Sequence, residues 1–207
     1  MIKRHPDRAA YSAAASRAAS KSSPAMRRLG ASGPAFDTII AAGPNSAKPH
    51  HRPSGRRITE GDLVVVDFGA TVDGYRSDMT RTLCVGEPSA AQRELHALVG
   101  RAQAAGREAV RAGATAQAVD AAARDVVEAA GRGPQFPHGT GHGVGLEIHE
   151  APYVGRTSTA TLCESSVVTV EPGVYLEGIG GVRTEDTVLV TVDGCRILTQ
   201  FPKSLTF

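Results

Sequence analysis

The chain has 207 residues, 41% of them apolar, and 23 Lys and Arg against 21 Asp and Glu give a net charge of +2; this is the make-up of one ordinary globular domain, not of a disordered or fibrous chain. It has no run of about 18 apolar residues, which excludes a membrane-spanning helix. Its three cysteines, Cys84, Cys163 and Cys195, are widely spaced without a CxxC, which excludes a disulfide scaffold or zinc knuckle and fits a reducing cytoplasm.

The small net charge conceals an asymmetry. Residues 1–30 hold seven Lys or Arg against Asp7 alone, so the remaining 177 residues carry −4, and a mildly acidic body argues against nucleic acid as the partner. Residues 1–25 read as a basic, Ala- and Ser-rich segment distinct from a body at 26–207. Pro24 interrupts helix there, so a loose helix before about residue 20 and a short one after Pro24 are predicted. Ala35–Ala42 reads as a strand that ends at the turn Gly43-Pro44-Asn45, and His50, His51 and Pro53 follow in a loop.

Leu63–Val72 and Tyr75–Val85 flank Asp73-Gly74, the dipeptide favoured in two-residue hairpin turns. A turn that tight places Asp67 opposite Thr80 and Gly69 opposite Asp78, so Asp67 and Asp78 share a face as diagonal neighbours. Two carboxylates so held repel unless a cation lies between them. Ser89 and Gln92 form a capping box for a helix to about Ala112, stopped by Gly113. A second helix starts after Thr115 and ends at Gly131, with Asp120 as a helix-start acid.

The stretch His138-Gly-Thr-Gly-His142-Gly-Val-Gly-Leu-Glu-Ile-His149-Glu150 puts three of the seven histidines among four glycines. His138 and His142 have the spacing of two ligands on one helical face, but the glycines favour a loop feeding a strand, with imidazoles aimed at a common centre and backbone open to close approach. Val167–Leu176 and Val182–Val192 read as strands, and Arg196–Thr199 as a last one. Glu171 lies within the first and Glu185 and Asp186 within the second, and carboxylates inside apolar strands need a counter-ion or a metal. Asp67, Asp78, His142, Glu171 and Glu185 together make an oxygen-rich set that suits two Mn²⁺-like ions better than a structural zinc.

These blocks carry a resemblance. Val66-Asp67-Phe68-Gly69, Ser77-Asp78-Met79-Thr80-Arg81-Thr82, the His138–Glu150 stretch, Thr169-Val170-Glu171-Pro172-Gly173 and Gly181-Val182-Arg183-Thr184-Glu185-Asp186 resemble, in order, the five signature blocks of the pita-bread metallopeptidases. The branch that cleaves Xaa-Pro peptides, aminopeptidase P and prolidase, is the best match, and the resemblance runs from about Met26 onward.

The resemblance implies an α+β fold: a curved antiparallel sheet with helices on its outer face, the first helical hairpin incomplete, and an N-terminally truncated catalytic domain without the additional domain common in the branch. It also implies that Asp67, Asp78, His142, Glu171 and Glu185 bind two divalent ions, Mn²⁺ first, with Co²⁺, Zn²⁺ or Fe²⁺ as alternatives. His138 and His149 are implied as catalytic and substrate-side histidines, His50 or its neighbour His51 as a further substrate-side histidine, and Arg183 as a substrate-side arginine that supports the metal carboxylates. The implied reaction is attack on the carbonyl before proline by a hydroxide shared between the metals, with Glu171 handling its proton and His149 assisting at the oxyanion. The implied partner is a short proline-containing peptide, with homodimerisation a property of the branch. Two alternatives stand beside this reading: an inactive pita-bread module that binds peptide or protein, and a methionine-aminopeptidase-like exopeptidase.

Overall fold

The computed structural model of the chain describes residues 23–51 and 54–206, so the helix expected before residue 20, and most of the basic segment at 1–25, lie outside the described residues. A short helix, α1, covers residues 23–28 with Pro24 in its first turn, where the missing proline N–H leaves no bond unmade.

The first half is built from β1 (Gly33–Pro34), β2 (Ile39–Ala42), β3 (Leu63–Phe68), β4 (Ala70–Val72), β5 (Tyr75–Arg76) and β6 (Met79–Cys84). The hairpin has the expected register, with Asp67 opposite Thr80 and Val72 opposite Tyr75. Its turn residues Asp73 and Gly74 have φ of 50° and 84°, both positive as a two-residue turn of this kind requires. The long strands are broken, however. Gly69 sits between β3 and β4, where a Cβ would come within 2.8 Å of the Ser77 carbonyl carbon; β2, β3 and β6 form one three-stranded sheet and β1, β4 and β5 another. The strand expected over Ala35–Ala42 is shorter and starts at Ile39.

Two helices follow, α2 (Ala90–Ala109) and α3 (Ala116–Ala129). Ser89 and Gln92 form the capping box, and Thr115 caps α3 through a bond from the Ala118 N–H. Their apolar faces supply Leu95, Val99, Ala102 and Val127 to one core cluster with Leu63, Phe136, Val174 and Val182. Val119 joins Val154, Leu162, Val168, Val170 and Val188 in a second. Each buried Leu, Val or Phe side chain among them contributes roughly 1.5–3 kcal/mol. Among the described residues no helix is long and apolar enough to cross a membrane.

The second half contains β7 (Gly141–Gly143), β8 (Glu150–Val154), β9 (Val167–Val170), β10 (Gly173–Leu176), β11 (Gly180–Arg183), β12 (Asp186–Val190) and β13 (Cys195–Ile197). A five-stranded sheet has the order β13-β12-β9-β7-β8, and β10 and β11 pair separately. The two long apolar strands expected here are therefore each two strands. The breaks fall at Glu171-Pro172 and Thr184-Glu185, so these acids do not interrupt a ladder: they occupy the points at which the chain leaves one sheet for another. The glycines of the 138–150 stretch also have a structural role beyond admitting a ligand. A Cβ at Gly143 would stand 2.5 Å from the Ala151 carbonyl oxygen and one at Gly139 2.7 Å from that of Val154, so neighbouring strands take up the space.

Behind Glu185, Asp186 is fully buried and bound by Arg81 Nη2 at 3.0 Å and Lys203 Nζ at 2.5 Å. Arg81 also donates to the carbonyls of Phe201 and Pro202, which ties the C-terminal residues to the strand that follows Asp78.

Candidate active site

One cleft of about 670 Å³ is lined by His50, Asp67, Asp78, His138, His142, His149, Glu171, Arg183 and Glu185 together with Phe36, Ile39, Ile148 and Tyr153. Every site residue expected from sequence faces it, His50 and not His51 among the pair. A volume of that size is ordinary for a small-ligand or peptide site.

The four carboxylates reach the cleft from four strand ends. Asp67 is the penultimate residue of β3 and Asp78 immediately precedes β6; Glu171 follows β9 and Glu185 precedes β12. His142 comes from the middle of β7. Asp78, His142 and Glu185 each offer a ligand atom within 4.8 Å of the others, and His142 Nε2 lies 3.1 Å from Glu171 Oε1 and 3.7 Å from Asp78 Oδ2. His142 Nδ1 is 3.0 Å from the Gly143 carbonyl; a carbonyl can only accept, so Nδ1 carries the proton there and Nε2 faces the acids, as in a metal-ligating histidine held by a backbone partner.

The observation that bears on a metal is the set of unmade bonds. Asp67 Oδ1, Asp78 Oδ1 and Glu185 Oε1 are buried and have no hydrogen-bond partner, and a buried carboxylate oxygen without a donor is costly. The second oxygens of Asp67 and Glu185 are occupied: Arg183 Nη2 donates to Asp67 Oδ2 at 2.7 Å and Thr80 Oγ1 to Glu185 Oε2 at 2.7 Å. The charge balance agrees. Burial, reinforced by the charge of Asp67, pushes the Asp78 pKa up to about 9. Burial and the Asp78 charge push Glu185 well above the usual carboxylate range. Asp67 is raised by burial, which Arg183 only partly offsets. Glu171 goes the other way, since its bond and charge interaction with His142 outweigh burial and bring it down to about 2. Three acids that resist ionising, with oxygens aimed at one another, fit a site completed by divalent cations.

Sequence reasoning missed two polar residues that hold the site together, Thr80 and Tyr175. Thr80 Oγ1 bridges Arg183 Nε at 3.1 Å and Glu185. The Tyr175 hydroxyl accepts from Arg183 Nη1 at 3.0 Å and lies 2.9 Å from His138 Nε2. Their signals were faint: Thr80 follows Asp78 by two positions on the same hairpin face, and a tyrosine within Val-Tyr-Leu reads as core. Arg183 donates as well to the Pro49 carbonyl at 3.1 Å, so four of its five N–H groups are committed inside the protein. His149 is largely exposed, with its ring 4.2 Å from that of His142 and edge-on to it; the partial desolvation of the ring and the His142 charge lower its pKa.

A model of metallopeptidase family M24 matches residues 9–192. The chain belongs to this family. Among curated M24 relatives, the Xaa-Pro dipeptidase of Pyrococcus furiosus is 48% identical over 180 residues, which are 87% of this chain and 52% of the relative. Among solved M24 structures, the X-Pro aminopeptidase from Thermotoga maritima superposes with a TM-score of 0.90 at 42% identity, covering 93% of this chain and 55% of its own. The prolidase from Pyrococcus horikoshii OT3 gives 0.90 at 46% identity over 92% of this chain and 55% of its own. The expected pita-bread fold is thus the fold of this M24 chain, and the chain spans about half the length of the curated relatives it matches.

Proposed function

We propose that this M24 chain hydrolyses the peptide bond between an N-terminal residue and proline, with two divalent ions held by Asp67, Asp78, His142, Glu171 and Glu185. The orphaned oxygens of Asp67, Asp78 and Glu185 carry the reading, and the names of the relatives, Xaa-Pro dipeptidase and X-Pro aminopeptidase, supply the substrate class. Mn²⁺ is the proposed ion because the donors are four carboxylates and one imidazole with no thiolate. A reducing cytoplasm is the proposed compartment, in keeping with three free cysteines.

When bound, the ions activate a water and polarise the carbonyl before proline. The chain's own groups do the rest. Glu171 is ionised at neutral pH, Thr169 Oγ1 donates to its Oε1 at 3.0 Å, and its carboxylate is the base that accepts the proton of the attacking water. His149, at the solvent edge of the cleft, donates to the oxygen that becomes negative. His138 and His50 hold the peptide on its other side. Arg183 acts through Asp67, Thr80 and Tyr175, orienting the Asp67 carboxylate, and leaves the substrate to the histidines. Phe36, Ile39 and Ile148 give the cleft the apolar wall that a proline ring fits.

The test is release of the N-terminal residue from Xaa-Pro and Xaa-Pro-Xaa peptides by the Mn²⁺-loaded chain, compared with His142→Ala. Turnover by the wild type that the variant lacks is the expected result. A chain that binds Mn²⁺ with no turnover on either peptide class overturns the reading.

A further inference from the structure

We propose that the buried ion pair Asp120–Arg124 on α3 is a positioning pair whose work is to set the His138 imidazole in the cleft. Asp120 is 1% exposed and Arg124 5%, and the two are joined by parallel bonds, Nε to Oδ2 at 2.8 Å and Nη2 to Oδ1 at 2.9 Å. Asp120 is the fifth residue of α3, so a favourable place in the helix dipole does not account for it. Burying two charges is costly even when they are paired, and an apolar pair of similar volume commonly does as well for stability. What the pair binds beyond itself is therefore informative.

Among the described residues, its other side-chain bonds all go to one segment. Arg124 Nη1 donates to the Phe136 carbonyl at 2.9 Å and Nη2 to the His138 carbonyl at 2.7 Å. Asp120 Oδ1 accepts from the Thr140 N–H at 2.9 Å and from its hydroxyl at 2.8 Å. Residues 136, 138 and 140 are alternate positions of the stretch leading into β7, which belongs to no strand and so lacks a ladder to satisfy its backbone. The helix supplies those partners from side chains, and charge-assisted bonds of this kind are the strong ones. The contact extends to the ring: the Arg124 guanidinium lies 4.0 Å over the Phe136 ring, and Phe136 meets the His138 ring edge-on at 5.1 Å.

On the far side of the imidazole the bonds define its tautomer. His138 Nδ1 is 2.8 Å from the Gly139 carbonyl and so carries the proton; Nε2 then accepts from the Tyr175 hydroxyl, which accepts from Arg183. His138 is thus held between two arginines, Arg183 through Tyr175 in front and Arg124 through Phe136 and the backbone behind. A lysine at 124 keeps the charge but has no planar fork able to meet Asp120 and two carbonyls together.

Its role for His138 in turnover rests on the proposed peptidase activity, but the positioning itself is measurable without it. The full chain labelled with ¹⁵N-histidine is compared with Arg124→Lys and with Phe136→Leu, which leaves the ion pair in place and removes the ring between it and His138. The expected result in both variants is loss of the slowly exchanging His138 Nδ1–H resonance, with proton exchange at least tenfold faster, while that of His142 persists. Should one variant not fold, the other decides. A His138 resonance unchanged in a folded variant that has only a lower melting temperature overturns the proposal, because the pair is then a staple between α3 and the sheet. If Xaa-Pro turnover is found, Arg124→Lys should lower kcat/KM about tenfold, as His138→Ala does, and should have no further effect in His138→Ala; an equal loss in both backgrounds overturns it. Absence of turnover with loss of the resonance counts against the peptidase reading alone.

Discussion

Raising the pH of the metal-free chain from 6.5 to 8.5 is expected to destabilise it, and Mn²⁺ is expected to remove most of that loss. The cause lies in the acids at the cleft. Asp78 has its pKa raised from 3.8 to about 9 in the folded chain, so the stability tied to its proton is fully present below the unfolded value and is lost as pH climbs toward the folded one. Across that window the unfolded chain has an ionised Asp78 and the folded chain a protonated one, and one proton of difference held over two pH units is worth on the order of 3 kcal/mol. Glu185 is raised in the same sense and adds to the loss. His142 is raised too, since the bond and charge of Glu171 outweigh burial, and its contribution also fades with rising pH. Glu171, held at about 2, loses its stabilising effect only in acid, so it contributes no slope here.

For a domain of this size 1 kcal/mol corresponds to about 2–4 °C, which makes the expected fall in melting temperature at least about 5 °C. The assay is thermal unfolding with a chelator and with saturating Mn²⁺ at both pH values, repeated on Asp78→Asn, whose amide takes the place of the protonated acid. Asp78→Asn should melt above the wild type at pH 8.5 without metal. A metal-free wild type whose melting temperature is flat over this window, or an Asp78→Asn chain with the same slope, would refute the reasoning.

Three further outcomes follow from the packing and the ligand set. Ser165 has φ of 68° in an exposed turn, so Ser165→Gly should raise stability by up to about 1 kcal/mol in chemical denaturation, with cleft residues unaffected. At Gly141 a Cβ would lie 2.7 Å from the Thr169 carbonyl carbon; Gly141→Ala should force β7 from β9, cost about 1–3 kcal/mol or more, and weaken Mn²⁺ binding in calorimetric titration. Glu185→Gln removes a charge while keeping the shape, so the metal-free chain should melt higher at pH 8.5 and its Mn²⁺ affinity should fall by at least about tenfold, as losing one charged ligand implies.

The local signals in this chain were strong wherever the chemistry was local. Asp73-Gly74 dictated the turn and with it the register that brings Asp67 opposite Thr80. Ser89 with Gln92, and Thr115, marked the helix starts. The residues of the cleft were recognisable because carboxylates and histidines stood where apolar or glycine-rich segments gave them no other reason to be. The long β-branched runs are less informative: Val167–Leu176 and Val182–Val192 each divide at the acid, and nothing in their pattern distinguishes a costly carboxylate within a ladder from one at a change of sheet. Asp120 likewise read as an ordinary helix-start acid and is instead buried against Arg124.

The primary structure was sufficient for the family, for the turns and caps, and for which residues face the cleft, because those depend on backbone preference and on the pattern of charges along the chain. Tertiary structure alone brought Thr80 and Tyr175 against the cleft residues, placed His50 and not His51 on the cleft wall, turned Arg183 inward and joined α3 to His138. Each of these rests on contacts between residues far apart in the chain, where the partner of a donor is set by how the sheets and helices come together and not by its neighbours in sequence.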